Sequence, residues 1–357
     1  MALFSNRIRI GDLLVQKGYI TDDQLYMLNG SAGRKCVGLA VKMADPARKL
    51  WKITRYEQAV AAFGQEQAEN ATALVRLLLQ NGAAQVTVFP VEEENYAGAF
   101  AAMAAAEDLA VVVCDSTDLA VQQALRDSVN AASTAQRERI AVVAGDRSEG
   151  VDALVTRAAG LNCERVVLAA PGCVDGEDKE LSALELAAAM AGAVAGLSDP
   201  AVPLGGAQLM GLHGLAAAYS DEELDVLIRG GVTVAESVAG VVSVVRGVTT
   251  RTTMAGATDS TWRDLSAVLV VDDVIPAIRN ALKSRFRRAK NTAQSREAIR
   301  SQVVLELENK LEREIIAAYE GVSVVQDSEE PTRCLVDFSF TVTHGINQIW
   351  LSAHITV

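Results

Sequence analysis

Short, uninterrupted apolar runs alternate along this chain with longer stretches whose apolar positions recur at helical spacing. The run "KCVGLAVKM" (35–43) predicts a strand, and "RYEQAVAAFG" (55–64) predicts a helix after it. The order then repeats four times. Helix "NATALVRLLLQNGA" leads to strand "QVTVFPV" (85–91), and "YAGAFAAMAAAE" to "LAVVVCD" (109–115). "LAVQQALRDSVNAASTAQRE" leads to "RIAVVAG", and "VDALVTRAAGLNC" to "RVVLAAPG". Val-rich strands without polar alternation, separated by helices, predict an α/β fold: a parallel-rich sheet with helices on both faces and right-handed crossovers. An Ala-rich helix over roughly 180–198 and a Pro/Gly-broken loop over 199–212 are expected on the rim.

After "DEELDVLIRGG" the texture changes. "VTVAESVAGVVSVVRGVTT" (232–250) places two β-branched runs around Ala239-Gly240, a hairpin signal. "LSAVLVVDDV" (265–274) reads as a further strand. The basic helix "IPAIRNALKSRFRRAK" follows, with Asp272 and Asp273 as its cap and Pro276 in its first turn. "SREAIRSQVVLELENKLEREIIAAY" (295–319) reads as a long amphipathic helix with a stripe of Ile299, Val303, Leu307, Leu311 and Ile315. The remainder is an α+β ending in strands. Cys334, Val336, Phe338, Phe340 and Val342 share one face of the run from 334. In "INQIWLSAHITV" (346–357) Ile346 opens a segment whose Ile349, Leu351, Ala353, Ile355 and Val357 share a face. An edge this apolar is an aggregation hazard unless it is paired. It either folds back at His344-Gly345 or adds a strand to the sheet of another copy. The chain thus divides into an N-terminal segment or arm (1–30), an α/β body (31–230) and a C-terminal α+β domain (231–357) with a terminal arm (344–357).

A net charge of −12 argues against a nucleic-acid binder, which needs a basic footprint. Five cysteines without a CxxC pair point to reduced thiols in a cytosolic chain. "MALFSNRIRI" lacks the apolar core of a secretory signal, and "LAAAMAGAVAGL" (186–197) is too short to span a bilayer, so neither export nor membrane insertion is expected.

Catalytic signatures are missing. The sequence contains no GxSxG, HExxH or GxxxxGK[ST], and no GxGxxG after a strand. His213, His344 and His354 have no metal-ligand spacing. Asp115 stands where a doubly wound sheet places a ligand-binding carboxylate, though "DSTD" equally suits a strand-end turn or helix cap. No catalytic residue, cofactor or metal is expected. Lys283, Arg285, Arg287, Arg288 and Lys290 cluster in "KSRFRRAKN", with Lys283, Arg287 and Lys290 spaced to share a helix face. They form a solvated face or a docking strip for an acidic protein surface.

From residue 230 onward the chain resembles contractile tail sheath proteins of phages, prophages and tailocins. The likeness rests on "GVTVAESVAGVVSVVRGVTTRTT", with Arg246, Gly247, Thr249 and Thr250, and on "WRDLSAVLVVDDVIPAIRNAL", with Trp262, Asp264 and Asp273. Asn291 follows the basic helix, and the long helix and closing strands come in the family's order. Upstream, "ITRYEQAVAAFGQ" and "LLLQNGAAQVTVFPV" are similar to the family's early region, so the likeness covers about 31–357. One departure is the opening: "IGDLLVQKGYITDDQL" stands where the family has a "PGVY"-like arm.

The resemblance implies a non-enzymatic subunit of a helical homo-polymer, assembled in the bacterial cytoplasm into a virion tail or phage-tail-like particle. The body from about 85 to 230 would be its outer part and the C-terminal domain its inner part, with 346–357 pairing between subunits. Its partners would be an inner tail tube, met by the basic strip or the long helix 296–318, together with baseplate and tail terminator proteins. Contraction would drive the tube through a target envelope without ATP. The rival reading is an α/β enzyme, or a protein binding a nucleotide-like ligand near Asp115, with a C-terminal dimerisation module.

Overall fold

The computed structural model describes residues 35–43, 50–92 and 94–347. The first ten strands are β1 (Cys36–Lys42), β2 (Trp51–Ile53), β3 (Gln85–Val91), β4 (Leu109–Cys114), β5 (Ile140–Ala144), β6 (Val166–Ala170), β7 (Cys173–Val174), β8 (Gly214–Leu215), β9 (Val232–Val238) and β10 (Val241–Val244). All but the small β7–β8 pair join one eight-stranded sheet in the order β10-β9-β6-β5-β4-β1-β3-β2. Its inner neighbours are parallel, and only β2 and β10 run antiparallel to theirs.

The helix–strand alternation of the sequence is realised by α1 (Tyr56–Phe63), α2 (Ala71–Gln80), α3 (Tyr96–Ala105), α4 (Leu119–Thr134) and α5 (Val151–Leu161), followed by α6 (Leu184–Gly196) and α7 (Asp221–Arg229). Successive strand residues point to opposite faces, so each strand feeds two cores. Leu39, Val88, Val113 and Val142 pack with α2 and α6 on one face. Ala40, Phe89, Val112 and Val143 pack with α3, α4, α5 and α7 on the other. Polar caps start several of the helices: Asn70 accepts from the Ala73 amide at 2.9 Å, and Ser220 forms a capping box with Glu223.

The Ala-rich helix expected on the rim lies instead at the centre of one face. All of α6 except Ala193 and Gly196 is buried. Small side chains allow this. A Cβ on Gly192 would stand 2.6 Å from the Leu78 carbonyl oxygen, and one on Gly82 2.8 Å from the Gly196 Cα, so α2 and α6 meet nearly backbone to backbone.

The sheet also continues past residue 230. β9 pairs with β6, and the hairpin expected at Ala239-Gly240 forms with both residues at positive φ (52° and 80°). The outer edge of β10 is covered: Gly206 and Leu209 donate to Val244 and Val242 at 2.7 and 2.8 Å, and Val244 donates to Ala207 at 3.0 Å.

The C-terminal unit holds the small hairpin β11 (Thr253–Met254) and β12 (Ala257–Thr258), then α8 (Leu265–Phe286), α9 (Ala293–Glu312), β13 (Ile316–Gln326) and β14 (Cys334–Val342). Three expectations fail here. Residues 265–274 are the first half of α8, because a wholly apolar run suits a helix buried on both sides as well as it suits a strand. Asp272 and Asp273 therefore lie inside α8 and do not cap it; Asp264 is the N-cap, and Pro276 sits within the helix. The long helix stops at Glu312, Glu314 adopts a positive φ of 57°, and β13 begins at Ile316. Leu311 still belongs to α9, and the helical stripe runs on only because buried Ile315, just ahead of β13, falls in phase with it. Val270, Val274, Ile278, Val303, Leu307, Ile315 and Ile316 form the core of this unit.

Candidate functional site

Residues singled out around 246–264 converge on the joint between body and C-terminal unit. The Arg246 guanidinium donates to Asp264 Oδ1 at 2.8 Å, so the N-cap carboxylate of α8 is held by a side chain instead of bonding the helix amides. The Thr249 hydroxyl donates to the Trp262 carbonyl at 2.7 Å. Thr250 ties its amide to Val166 O at 2.8 Å, and its hydroxyl both donates to Cys163 O and accepts from Cys163 N at 3.0 and 3.1 Å. A Cβ on Gly247 would come within 2.7 Å of the Leu204 Cβ, so only glycine fits there.

Two ion pairs that sequence reasoning missed complete the joint. Arg165 binds Asp272 through both guanidinium nitrogens, and Arg279 meets Glu138 at 2.8 Å. Asp273 pairs with Lys310 of α9. Asn291 bridges onward: it donates to the carbonyls of Pro331 and Arg333 at 2.7 and 3.3 Å and accepts from Arg296, so it anchors the β13–β14 turn. A signal was available, since an aspartate inside "LVVDDVI" needs a partner when that run is buried.

β14 pairs with β13, from Ile316↔Val342 through Gln326↔Cys334, in a two-stranded sheet. Among the described residues no other strand joins either outer edge. Phe338 and Phe340 stack at 6.3 Å and remain only partly buried over the unit's core. Ile346 follows, 77% exposed. Ile349, Leu351, Ala353, Ile355 and Val357 lie outside the described residues.

The basic strip differs from its expected form. α8 ends at Phe286 with Arg287 as its C-cap, so Lys290 lies beyond the helix and does not extend its face from Lys283. Arg285 donates to Gln302 of α9. The side chains of Lys283, Arg287, Arg288 and Lys290 are exposed and make no hydrogen bond or ion pair with the described residues.

Asp115 does lie at the carboxyl end of β4, beside the switch between β1 and β4. Both of its oxygens are occupied, one by the Tyr96 hydroxyl and one by the Lys42 amide, each at 2.6 Å. Burial pushes this carboxyl above the ordinary carboxylate range despite those bonds. It is a closed structural node. Among the described residues no group of three metal-ligating side chains forms, and no helix is long and apolar enough to cross a membrane.

The same fold, body and C-terminal unit together, occurs in solved sheath proteins. The contracted helical sheath of the anti-feeding prophage superposes with a TM-score of 0.72 at 16% identity, over 90% of this chain and 94% of that one. A sheath tail protein of Desulfitobacterium hafniense gives 0.68 at 11% identity, over 87% and 96%. The chain belongs to the phage tail sheath family: residues 90–250 match the phage tail sheath protein central domain and 257–356 the phage tail sheath C-terminal domain. The tail sheath protein of Bacillus phage SP01 is 28% identical over 253 residues, 69% of this chain and 43% of that protein. This chain therefore spans less than half the length of that curated relative.

Proposed function

We propose that this protein is the repeating subunit of a contractile sheath. Copies polymerise helically around an inner tube and contract to drive that tube through a target envelope. The observation that carries this reading is the β13–β14 sheet, whose two outer edges are unpaired among the described residues while a long apolar segment (346–357) follows it. A strand given to a neighbour quenches such an edge, and a contact between different surfaces of identical copies propagates instead of closing. Ile346, Ile349, Leu351, Ala353, Ile355 and Val357 are the proposed donor residues.

The unpartnered Lys283, Arg287, Arg288 and Lys290, together with Arg285, are the proposed tube-facing strip. The exposed side of α9 is the alternative. The subunit works without catalysis: energy stored in the extended particle replaces ATP. Baseplate and terminator proteins are the further partners, and the particle is a virion tail or its relative, built in the bacterial cytoplasm. Electron microscopy of purified protein tests the reading. Rods or tubes that are lost on deleting 346–357 support it. A monomer or dimer indifferent to that deletion ends it.

A further inference from the structure

The two ends of the body's sheet carry matching exposed elements. At the amino end, the β11–β12 hairpin presents Met254, 60% exposed, on a turn with Ala255 and Gly256 at positive φ. The hairpin is held rigidly. Asn162 donates to Thr253 O at 3.1 Å and accepts from the amides of Thr252 and Thr253 at 3.1 and 3.2 Å. Asn162 is the C-cap of α5, four residues ahead of β6, and the Thr250 amide bonds Val166, the first residue of that strand.

At the carboxyl end, a groove of about 320 Å³ opens between the segment Leu215–Tyr219 and Ala235–Ser237 of β9. Ala216, Ala217, Ala218 and Ala235 give it small walls, Glu236 and Ser237 give it a polar side, and the Tyr219 hydroxyl makes no hydrogen bond with the described residues. Val238 and Val241, paired across the adjacent hairpin, stand exposed at its rim. β9 has seven residues and runs parallel to β6, so groove and Met254 hairpin lie on the order of 20 Å or more apart in one molecule.

Charge distinguishes the ends. Glu177, Asp178, Glu180, Asp221, Glu222 and Glu236 crowd the carboxyl end, exposed and without a cation partner among the described residues; they outnumber Lys179 and Arg147 there. The hairpin itself, Thr252–Thr258, is uncharged. Arg263 beside it makes no salt bridge within the described residues, and its Nε is buried without a partner. Arg251 is balanced by Glu164 and Asp259 beside the hairpin, so the amino end has no acidic excess of that kind. Two acidic carboxyl ends repel, which leaves opposite ends as the compatible pair.

We propose that the Met254 hairpin of one copy seats in the Leu215–Tyr219/Ala235–Ser237 groove of the next, a head-to-tail contact between bodies separate from the strand exchange of the C-terminal unit. It rests on the sheath reading. One molecule cannot satisfy the contact within itself, and copies joined through opposite ends extend an open helix.

The test is a disulfide ladder. In a Cys334→Ser background, Met254→Cys and Ser237→Cys are combined and assembled particles are oxidised. Covalent multimers from the double variant, absent from either single variant, support the contact. Intact particles without a ladder overturn it and leave the sheath reading standing; failure of the wild-type chain to assemble at all removes both. A photo-crosslinker attached to the Ser237→Cys thiol that mass spectrometry maps to residues 1–34 or 346–357 assigns the groove to a terminal segment and also overturns the proposal. Met254→Asp, at an exposed position, is expected to keep the wild-type melting temperature and lose long rods. Rods of undiminished length count against the contact.

Discussion

Arg165 and Asp272 meet across 107 residues of sequence through two hydrogen bonds of 2.7 and 2.9 Å, with their side chains only 14% and 9% exposed. One partner stands at the amino end of β6 and the other on the third turn of α8, so the pair fastens body to C-terminal unit at the point where the chain itself does not. Removing one member leaves the other charge buried. Arg165→Ala or Asp272→Ala is therefore expected to cost about 3–5 kcal/mol in chemical denaturation. Replacing both with apolar residues of similar volume is expected to cost far less.

Tight contact between α2 and α6 gives a second expectation. The methyl of Gly192→Ala must push the Leu78 carbonyl aside, at a cost of about 1–3 kcal/mol. Gly160→Ala, inside α5 with nothing nearer than 3.7 Å, serves as the control. Thermal unfolding of the two variants separates packing from helix propensity.

Glu185 gives a pH-dependent one. Burial pushes its carboxyl above the ordinary value of 4.5, although the Glu69 amide donates to it and Arg76 and His213 lie in range. A folded value above the unfolded one contributes stability that is full below 4.5 and is lost as pH rises through the folded value. Glu185→Gln keeps an acceptor for the Glu69 amide and cannot ionise. Its melting temperature is expected to exceed the wild type at about pH 7, with the gain shrinking towards zero near pH 4.

The free cations after α8 invite charge reversal. Arg287→Glu with Arg288→Glu touches no interaction within the described subunit, so stability is expected to move by no more than about 0.5 kcal/mol. Binding to the purified tube protein is expected to weaken, and its salt dependence to flatten, in a pull-down across ionic strengths.

The body was readable because its strands are buried on both faces and therefore apolar throughout, while each intervening helix keeps one polar side. The same logic misled at Leu265–Val274, where a helix wrapped by two cores shows no polar side. At α6, alanine and glycine conceal burial, since their small side chains suit a surface helix as well as a tightly crossed interior one. β13 was hidden by a coincidence of phase. The hairpin at Ala239-Gly240 and the strand from Cys334 were legible through turn chemistry and strict alternation. Of the candidate site, motif order marked Arg246, Thr249, Thr250, Asp264 and Asn291. Their roles stayed invisible, because each acts on a group distant in sequence: Thr250 on Cys163, for instance, and Asn291 on Pro331.

The strap from Gly206 to Leu209 along β10 has a consequence for a crowd of identical molecules. Among the described residues one flank of the large sheet is shut and the other is the three residues of β2, so copies that stack body to body by mistake gain little backbone pairing there.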